Sequence, residues 1–568
     1  MKKILNKIFV VAGLCAAVSS CSFLDVEPQV ICSDTFYNTE KEVQYGLAGV
    51  YGVMSSEALY GNYYSLMYSN IDDLCYFNRD MGSNLLQFHR HTAGTSQIYD
   101  IWVKLYQGIR NANAFMEAVV KTDFDEDGAY FNEARFLRAY YHFILAQAWG
   151  DVPLRKSAVT THDQVMIAVT PQYDVLSWVA EEMEACIELA PESLEKTPSR
   201  VAKTTVHGIL ARVYLFMAGE SVKGGDKAAL LANAKNHADA VIKSAQHQLN
   251  PDYSQIFKNM IMDIYDTQYH ESMWEVDFLG DRSSADNWSN GRIGDVLGLQ
   301  SSGSEGYEKF NCNYAYGQYN GSLQLWDLYW KTDLVAEENE LKVIKDKRLE
   351  WNIPPYNYQG RNNQPPYGSG LTTGESLASI DKTPYVYDKV STGTDPTAAQ
   401  AIRNCGKFRR EVEYEGQKTA KLLYTTINFP LLRYSDVLLM YAEASNELNG
   451  PTQPAYECVK AVRDRAGVQT RPMADYDKDS FRQLIRNERG RELCFESLRK
   501  YDLIRWGEYV DAMHGYVQYA ADERWSKEKT LSARAASIGG AVTDKHVYMP
   551  VPSIELGVNR LLVQNPLW

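Results

Sequence analysis

The chain has 568 residues, 45% of them hydrophobic, with 58 basic and 72 acidic side chains and a formal charge of -14. That much apolar material buries a large core, and length alone allows roughly two to four domains. The acidic balance argues against nucleic acid as a partner and against a polybasic grip on anionic lipid, while leaving neutral ligands open.

Residues 1–20 read as a signal segment rather than as part of a fold. Lys2, Lys3 and Lys7 precede an apolar run from Ile8 to Val18, and Val18-Ser19-Ser20 sets small residues before Cys21. Cys21 is therefore the expected acylated first residue of the mature chain, residues 21–568. Cys15 competes poorly, because bulky Leu14 precedes it. The run falls short of the ~20 residues that a spanning helix needs. Loss of the three lysines takes the formal charge from -14 to -17. Past Cys21 the cysteines are widely spaced, with no C-x-x-C pair, which argues against a metal cluster or a full disulfide framework.

From about 40 to 265 the apolar spacing is helical. Helices are predicted over Ile101–Val120, Glu133–Trp149, Tyr173–Leu189, Thr205–Met217 and Ala228–Ser244, the second from Phe136, Leu137, Tyr140, Ile144 and Ala148. Helix, loop and helix follow one another as stacked helical pairs require, so the fold class is mainly α, a tetratricopeptide-like scaffold, although no strict repeat can be read. Ahead of the second helix, Asp123-x-Asp125-x-Asp127-Gly128 begins like a calcium loop, with Glu133 one position early. Acids before a helix also cap it, which is the favoured reading; a calcium ion there would be structural.

Between 266 and 425 the helical period lapses, and Gly, Asn, Ser and Pro punctuate long loops. So much irregular chain is expected to serve a purpose, and the aromatics suggest which. Residues 306–330 hold eight: Tyr307, Phe310, Tyr314, Tyr316, Tyr319, Trp326, Tyr329 and Trp330. Asn311, Asn313, Gln318 and Asn320 interleave amides among them. Flat rings beside amides suit sugar faces edged by hydroxyls, whereas the helical spacing of Trp326, Tyr329 and Trp330 suits a core. A second cluster is Tyr60, Tyr63, Tyr64 and Tyr68. Helical spacing returns over 430–510, at Leu431–Leu448, Pro454–Ala466 and Phe481–Phe495. These helices are expected to pack back on the first group, making a single domain with a large insert.

Several strings carry a family resemblance. They are Phe23-Leu24-Asp25 with Pro28, Glu133 to Tyr141 running on through Trp149-Gly150-Asp151-Val152-Pro153-Leu154, Leu432-Arg433-Tyr434 to Ala444, and Val462 to Gly467. Glu488-Arg489, Glu492-Leu493, Phe495-Glu496 and Arg499 through Asp502-Leu503-Ile504-Arg505-Trp506-Gly507 form the most specific block, and Pro550-Val551-Pro552 with Gln564-Asn565-Pro566 closes the chain. In this order they resemble the SusD/RagB family of outer-membrane nutrient-binding lipoproteins, along essentially the whole mature chain. Ser435 and Ser497 depart from it, standing where alanine and glycine are usual.

The resemblance implies a protein lipid-anchored at the outer membrane and facing the exterior. It would capture an oligosaccharide without covalent chemistry, need no cofactor, and pass its ligand to a TonB-dependent, SusC-like transporter. Ligand contacts are expected from the loop after Asp72-Asp73 and from the insert, at Asp73, Phe77, Arg79, Trp288, Tyr314, Tyr316, Tyr319 and Asn320. Asp72 and Asp73 have the alternative role of orienting that loop. The alternatives are a peptide ligand or, from another class, a surface glycoside hydrolase. There is no H-E-x-x-H, no G-x-S-x-G and no nucleotide-binding glycine loop, a glycosidase carboxylate pair could still lie among the 72 acids, and His89-x-His91 has no further ligands nearby in sequence. Arg135, Arg138, Glu443, Arg489, Glu492, Glu496, Arg499 and Arg505 lie within apolar helices, where charge survives only if paired, so ion pairs rather than catalysis are expected of them.

Overall fold

The computed structural model describes residues 36–568 except 160, 162–163, 193–197, 280–290, 302–312, 331–334, 339–340, 355, 358–384, 387–402, 416–423 and 526–528. The signal segment, Cys21 and Trp288 lie outside the described residues.

Helix α1 (Glu40–Tyr51) starts where the Thr39 hydroxyl accepts from the Glu42 amide, and two π-helical turns, Glu57–Gly61 and Tyr63–Ser69, lead to strand β1 (Cys75–Phe77). Five helices follow: α2 (Ser96–Val119), α3 (Ala129–Trp149), α4 (Gln172–Glu184), α5 (Lys203–Met217) and α6 (Lys227–Ser244). Each packs on the next in sequence, as a stack of helical pairs does. Gly108 shows how close α2 and α3 come, because a Cβ there would sit 2.6 Å from the Tyr141 ring. Beyond α7 (Tyr253–Met262), strand β2 (Ser272–Val276) opens the irregular part, followed by β3 (Tyr319–Gly321), α8 (Leu323–Tyr329) and α9 (Arg348–Asn352). The chain then forms β4 (Phe429–Arg433), α10 (Tyr434–Asn449), α11 (Gln453–Arg465), α12 (Lys478–Leu493) and α13 (Arg499–Trp506). It closes with α14 (Tyr509–Tyr519), α15 (Lys529–Gly540) and α16 (Ser553–Val558).

The helical-pair scaffold is as expected. Helix α10 packs on α6 as well as on α11 and α12, so the late helices close onto the early stack. One apolar cluster runs from Val43 to Leu562. Among the described residues no helix is long and apolar enough to cross a membrane. Two differences from expectation have physical causes. Residues 431–433, read as the first turn of a helix, belong to β4, which pairs antiparallel with β2, Val276 facing Phe429 and Ser272 facing Arg433. The loop-rich insert is also not all surface, for Arg348, Lys407 and Arg410 from it are fully enclosed.

Enclosed charge ties the scaffold to the insert. Glu492 of α12 accepts from Arg348 at 3.0 Å, Arg433 at 3.0 Å and Arg465 at 2.6 Å. Arg433 also reaches Glu271 at 3.1 Å and Glu496 at 2.8 Å, and Lys407 meets Glu496 at 2.5 Å. Glu488 gathers Arg348, Arg463 and Arg491 at 2.6, 3.2 and 2.8 Å. A second chain of pairs links α5, α10, α12 and α13: Arg212 and Arg489 on Asp436, each at 2.7 Å, then Asp502 and Arg505, with Arg505 and the Trp506 indole on Glu443. In α3, Arg135 and Arg138 hold Glu182 of α4. Arg135, Arg138, Glu443, Arg489, Glu492, Glu496 and Arg505 among them are motif residues for which ion pairing was expected. The turn after α12 carries Ser497 at φ +60°, a left-handed conformation suited to glycine. Its hydroxyl donates to the Ser65 carbonyl at 2.8 Å.

Replacing Glu492 by alanine leaves Arg348, Arg433 and Arg465 short of a counter-charge, and is expected to cost about 3–5 kcal/mol in urea unfolding. The facing arginines also hold Asp436, Glu443 and Glu488 down at about 2 against the desolvation that raises them, and Glu492 well below the carboxylate range. Such depressed groups add stability above their unfolded pKa that is lost as pH falls toward the folded value. The urea midpoint should therefore drop from pH 4.5 to 2.5, the loss at these depressed groups being only partly offset by Asp72 and Glu275, which burial raises to about 8 and about 7 and whose protonation in the unfolded chain over the same window favours the fold. A midpoint unchanged across that window contradicts this account.

Candidate functional site

The pairing of β1 with β3 builds the candidate site. Cys75 faces Gly321, Tyr76 faces Asn320 and Phe77 faces Tyr319, so the chain leaving β1 runs beside the chain entering β3. The Asn78 amide continues the ladder to the Gln318 carbonyl at 2.9 Å, and its side chain donates to the Gly317 carbonyl at 2.8 Å and to Asn320 Oδ1 at 2.7 Å. Asn404 donates to the same two acceptors at 3.3 and 2.9 Å. One residue further out, Arg79 donates to the Tyr316 carbonyl at 2.6 Å.

The Tyr314–Tyr316 loop is fixed from beneath. Asp295 accepts the Tyr316 amide at 3.1 Å and is itself paired with Arg292 at 2.7 Å, while Arg410 donates to the Tyr314 carbonyl at 2.5 Å. Gly317 turns the chain at φ +53°, where a Cβ would fall 2.7 Å from the Gln300 amide nitrogen. The two rings meet edge to face with centroids 5.1 Å apart. Tyr316 is 38% exposed, and Tyr314 and Arg79 are part-exposed. Burial first, and the Tyr316 hydroxyl second, raise the Tyr314 phenol, so it is protonated and able to donate at neutral pH. The arrangement offers two restrained rings, a phenolic donor and a guanidinium on one edge of the molecule.

Several expected ligand residues are structural instead. Phe77 and Tyr319 are enclosed and packed edge to face at 5.5 Å, and the Tyr319 hydroxyl donates to the Leu66 carbonyl at 2.7 Å. Both strands are buried along their whole length, so neither ring has a face to offer a ligand. Asn320 is likewise enclosed, its amide donating to the Tyr76 hydroxyl at 3.0 Å. Asp73 is buried and held by Arg499 through two contacts of 2.8 Å, which fits the alternative role of orienting the loop. Asp72 caps the Leu74 amide at 2.8 Å. Trp326 and Tyr329 of the aromatic run are core too, as are Tyr60, Tyr64 and Tyr68 of the second cluster. Of the expected set, Arg79, Tyr314 and Tyr316 are brought together at the surface. Arg292, Asp295, Gly317, Asn404 and Arg410 support that surface and were not foreseen. Only Gly317 carried a local signal, as a turn residue inside the aromatic run.

The acidic loop is a helix cap. Asp125 accepts from the amides of Tyr130 and Phe131, both at 2.8 Å, Asp127 accepts from Ala129 at 3.1 Å, and Glu133 is taken by Arg200 and Tyr51. Asp123 is exposed. Among the described residues no group of three or more His, Cys, Asp or Glu side chains is placed to hold a metal ion, and the calcium candidate is corrected accordingly. His89 and His91 pack with His546 at 5.4 and 5.5 Å, and burial pushes all three imidazoles down. A separate cleft of about 820 Å³, lined by Trp102, Tyr106, Arg155 and Val558, includes none of the expected ligand residues.

Comparison with known proteins places this geometry in context. Residues 270–568 match the family model described as the SusD family, and residues 22–215 match one described as starch-binding associating with outer membrane. A SusD-like protein, P25, of Formosa agariphila is 24% identical over 99% of this chain and 98% of its own. Among solved structures, a SusD homologue from Bacteroides thetaiotaomicron superposes with a TM-score of 0.78 at 24% identity, over 94% of this chain and 98% of that one. Surface glycan-binding protein A from Bacteroides thetaiotaomicron, in complex with laminarihexaose, superposes at 0.66 and 17% identity, over 92% and 99%.

The division between surface and core is measurable. Tyr316→Ala should shift stability by no more than about 0.5 kcal/mol, whereas Tyr319→Ala should cost about 3–5 kcal/mol in the same urea titration.

Proposed function

The chain belongs to the SusD family, and on that footing we propose that it is a cell-surface lipoprotein that binds glycan without cleaving it and delivers it to a TonB-dependent, SusC-like transporter. The observation that carries the ligand side is the Arg79–Tyr314–Tyr316 edge. Two part-exposed rings are restrained from below, so little conformational entropy is lost when a sugar ring lies against them, and the guanidinium and phenols reach its hydroxyls. The bound laminarihexaose of the surface glycan-binding relative supports an oligosaccharide over a peptide.

The anchoring side rests on the sequence before residue 22 and on the family. Cys21 would carry the lipid, and the described body would stand outside the outer membrane as the capturing partner of the barrel. Non-catalytic binding is consistent with the state of the motif carboxylates. Glu488, Glu492 and Glu496 are enclosed and ion-paired, which leaves none of them free to hold and release a proton at a substrate.

A panel of plant, host and microbial glycans, laminarin and starch among them, tests the reading by retention on glycan-loaded gels with a reducing-end assay alongside. Retention without new reducing ends is expected, with Tyr316→Ala and Arg79→Ala each weakening it about tenfold or more. New reducing ends, or retention indifferent to both substitutions, would contradict it.

A further inference from the structure

Helices α4, α5 and α6 bring together a cluster far in sequence from the Arg79–Tyr314–Tyr316 edge. His207 of α5 and His237 of α6 point their Nδ1 atoms at one another across 3.0 Å. Glu184, the last residue of α4, sets Oε1 3.7 Å from the opposite nitrogen of His237, Nε2. Tyr214 of α5 stacks on the His237 ring, centroids 5.6 Å apart and planes 7° from parallel, and its hydroxyl donates to Glu184. Both imidazoles are part-exposed, unlike the enclosed His89 and His142.

We propose that His207 and His237 form a two-nitrogen site for a divalent transition ion of the Cu²⁺ or Ni²⁺ kind, with Glu184 orienting His237. A carboxylate on the far nitrogen is the usual device for aiming an imidazole lone pair at a metal. In the tautomer that keeps the His237 proton on Nε2, 3.7 Å from the Glu184 carboxylate, its Nδ1 presents a lone pair to His207 Nδ1 while no metal is bound. On binding, the His207 proton moves to its own Nε2, and a turn of that ring about χ2 brings both lone pairs onto the ion. Water completes the coordination.

Among divalent first-row ions at an imidazole pair, the general affinity order favours Cu²⁺. Lys203, the cation one turn before His207, is neutralised by Glu192 at 2.8 Å and Glu188 at 3.8 Å.

Untagged full-length protein titrated calorimetrically with copper sulfate should bind one ion, with nickel and zinc binding more weakly. His207→Ala and His237→Ala should each weaken copper binding tenfold or more, and Glu184→Gln by about tenfold. Electron paramagnetic resonance of the copper-loaded wild-type protein should show two coordinated imidazole nitrogens, a readout that does not depend on how the variants fold. Fewer than two nitrogens, or affinity unchanged in both histidine variants, would overturn the site.

Discussion

Glu492 is the constraint on which the rest of the structure depends. Three arginines converge on it, Arg348 at the start of α9, Arg433 at the end of β4 and Arg465 at the end of α11, so one carboxylate fixes how the irregular region, the β2–β4 pair and the late helices sit on one another. Enclosed charges at this density are tolerable only when every ion is paired, and the loss of one partner leaves the others stranded in low dielectric. The insert is therefore locked to the scaffold by geometry that admits few alternatives.

That locking reaches the candidate site by short steps. Arg348 adjoins Asn352, which donates to the Tyr329 hydroxyl at 2.8 Å, and Tyr329 ends the helix that follows β3. Strand β3 pairs with β1, and the pair aims Arg79 and the Tyr314–Tyr316 loop outward. Asp73, held by Arg499 at the start of α13, fixes the entry to β1 from the other side. A binding surface on loops gains precision when the backbone beneath them is over-determined in this way, because less ordering is left to the moment of binding.

The scaffold was largely legible in the sequence, since helical spacing of Phe136, Leu137, Tyr140 and Ile144 is set by a local period. Boundaries were less so: α3 begins at Ala129 rather than Glu133, because Asp125 and Gly128 organise a first turn that apolar spacing does not register. The site was legible in part. Aromatic density marked the segment that carries the Tyr314–Tyr316 loop but could not separate Tyr316 from Tyr319, since three residues decide whether a ring lies on the loop or on an enclosed strand. Register between 75–77 and 319–321, and the support of the loop by Asp295, Asn404 and Arg410, are long-range facts with no local trace. The helices after 510 were missed altogether, their spacing being diluted by polar residues.

On the proposed function, glycan lies on the edge formed by Arg79, Tyr314 and Tyr316. Hydrogen-exchange mass spectrometry of the protein with and without a laminarin oligosaccharide addresses it most directly. Slowed exchange confined to peptides covering residues 78–80 and 313–318 is the predicted result. Protection absent there and appearing along the cleft between α2 and α16 would contradict it.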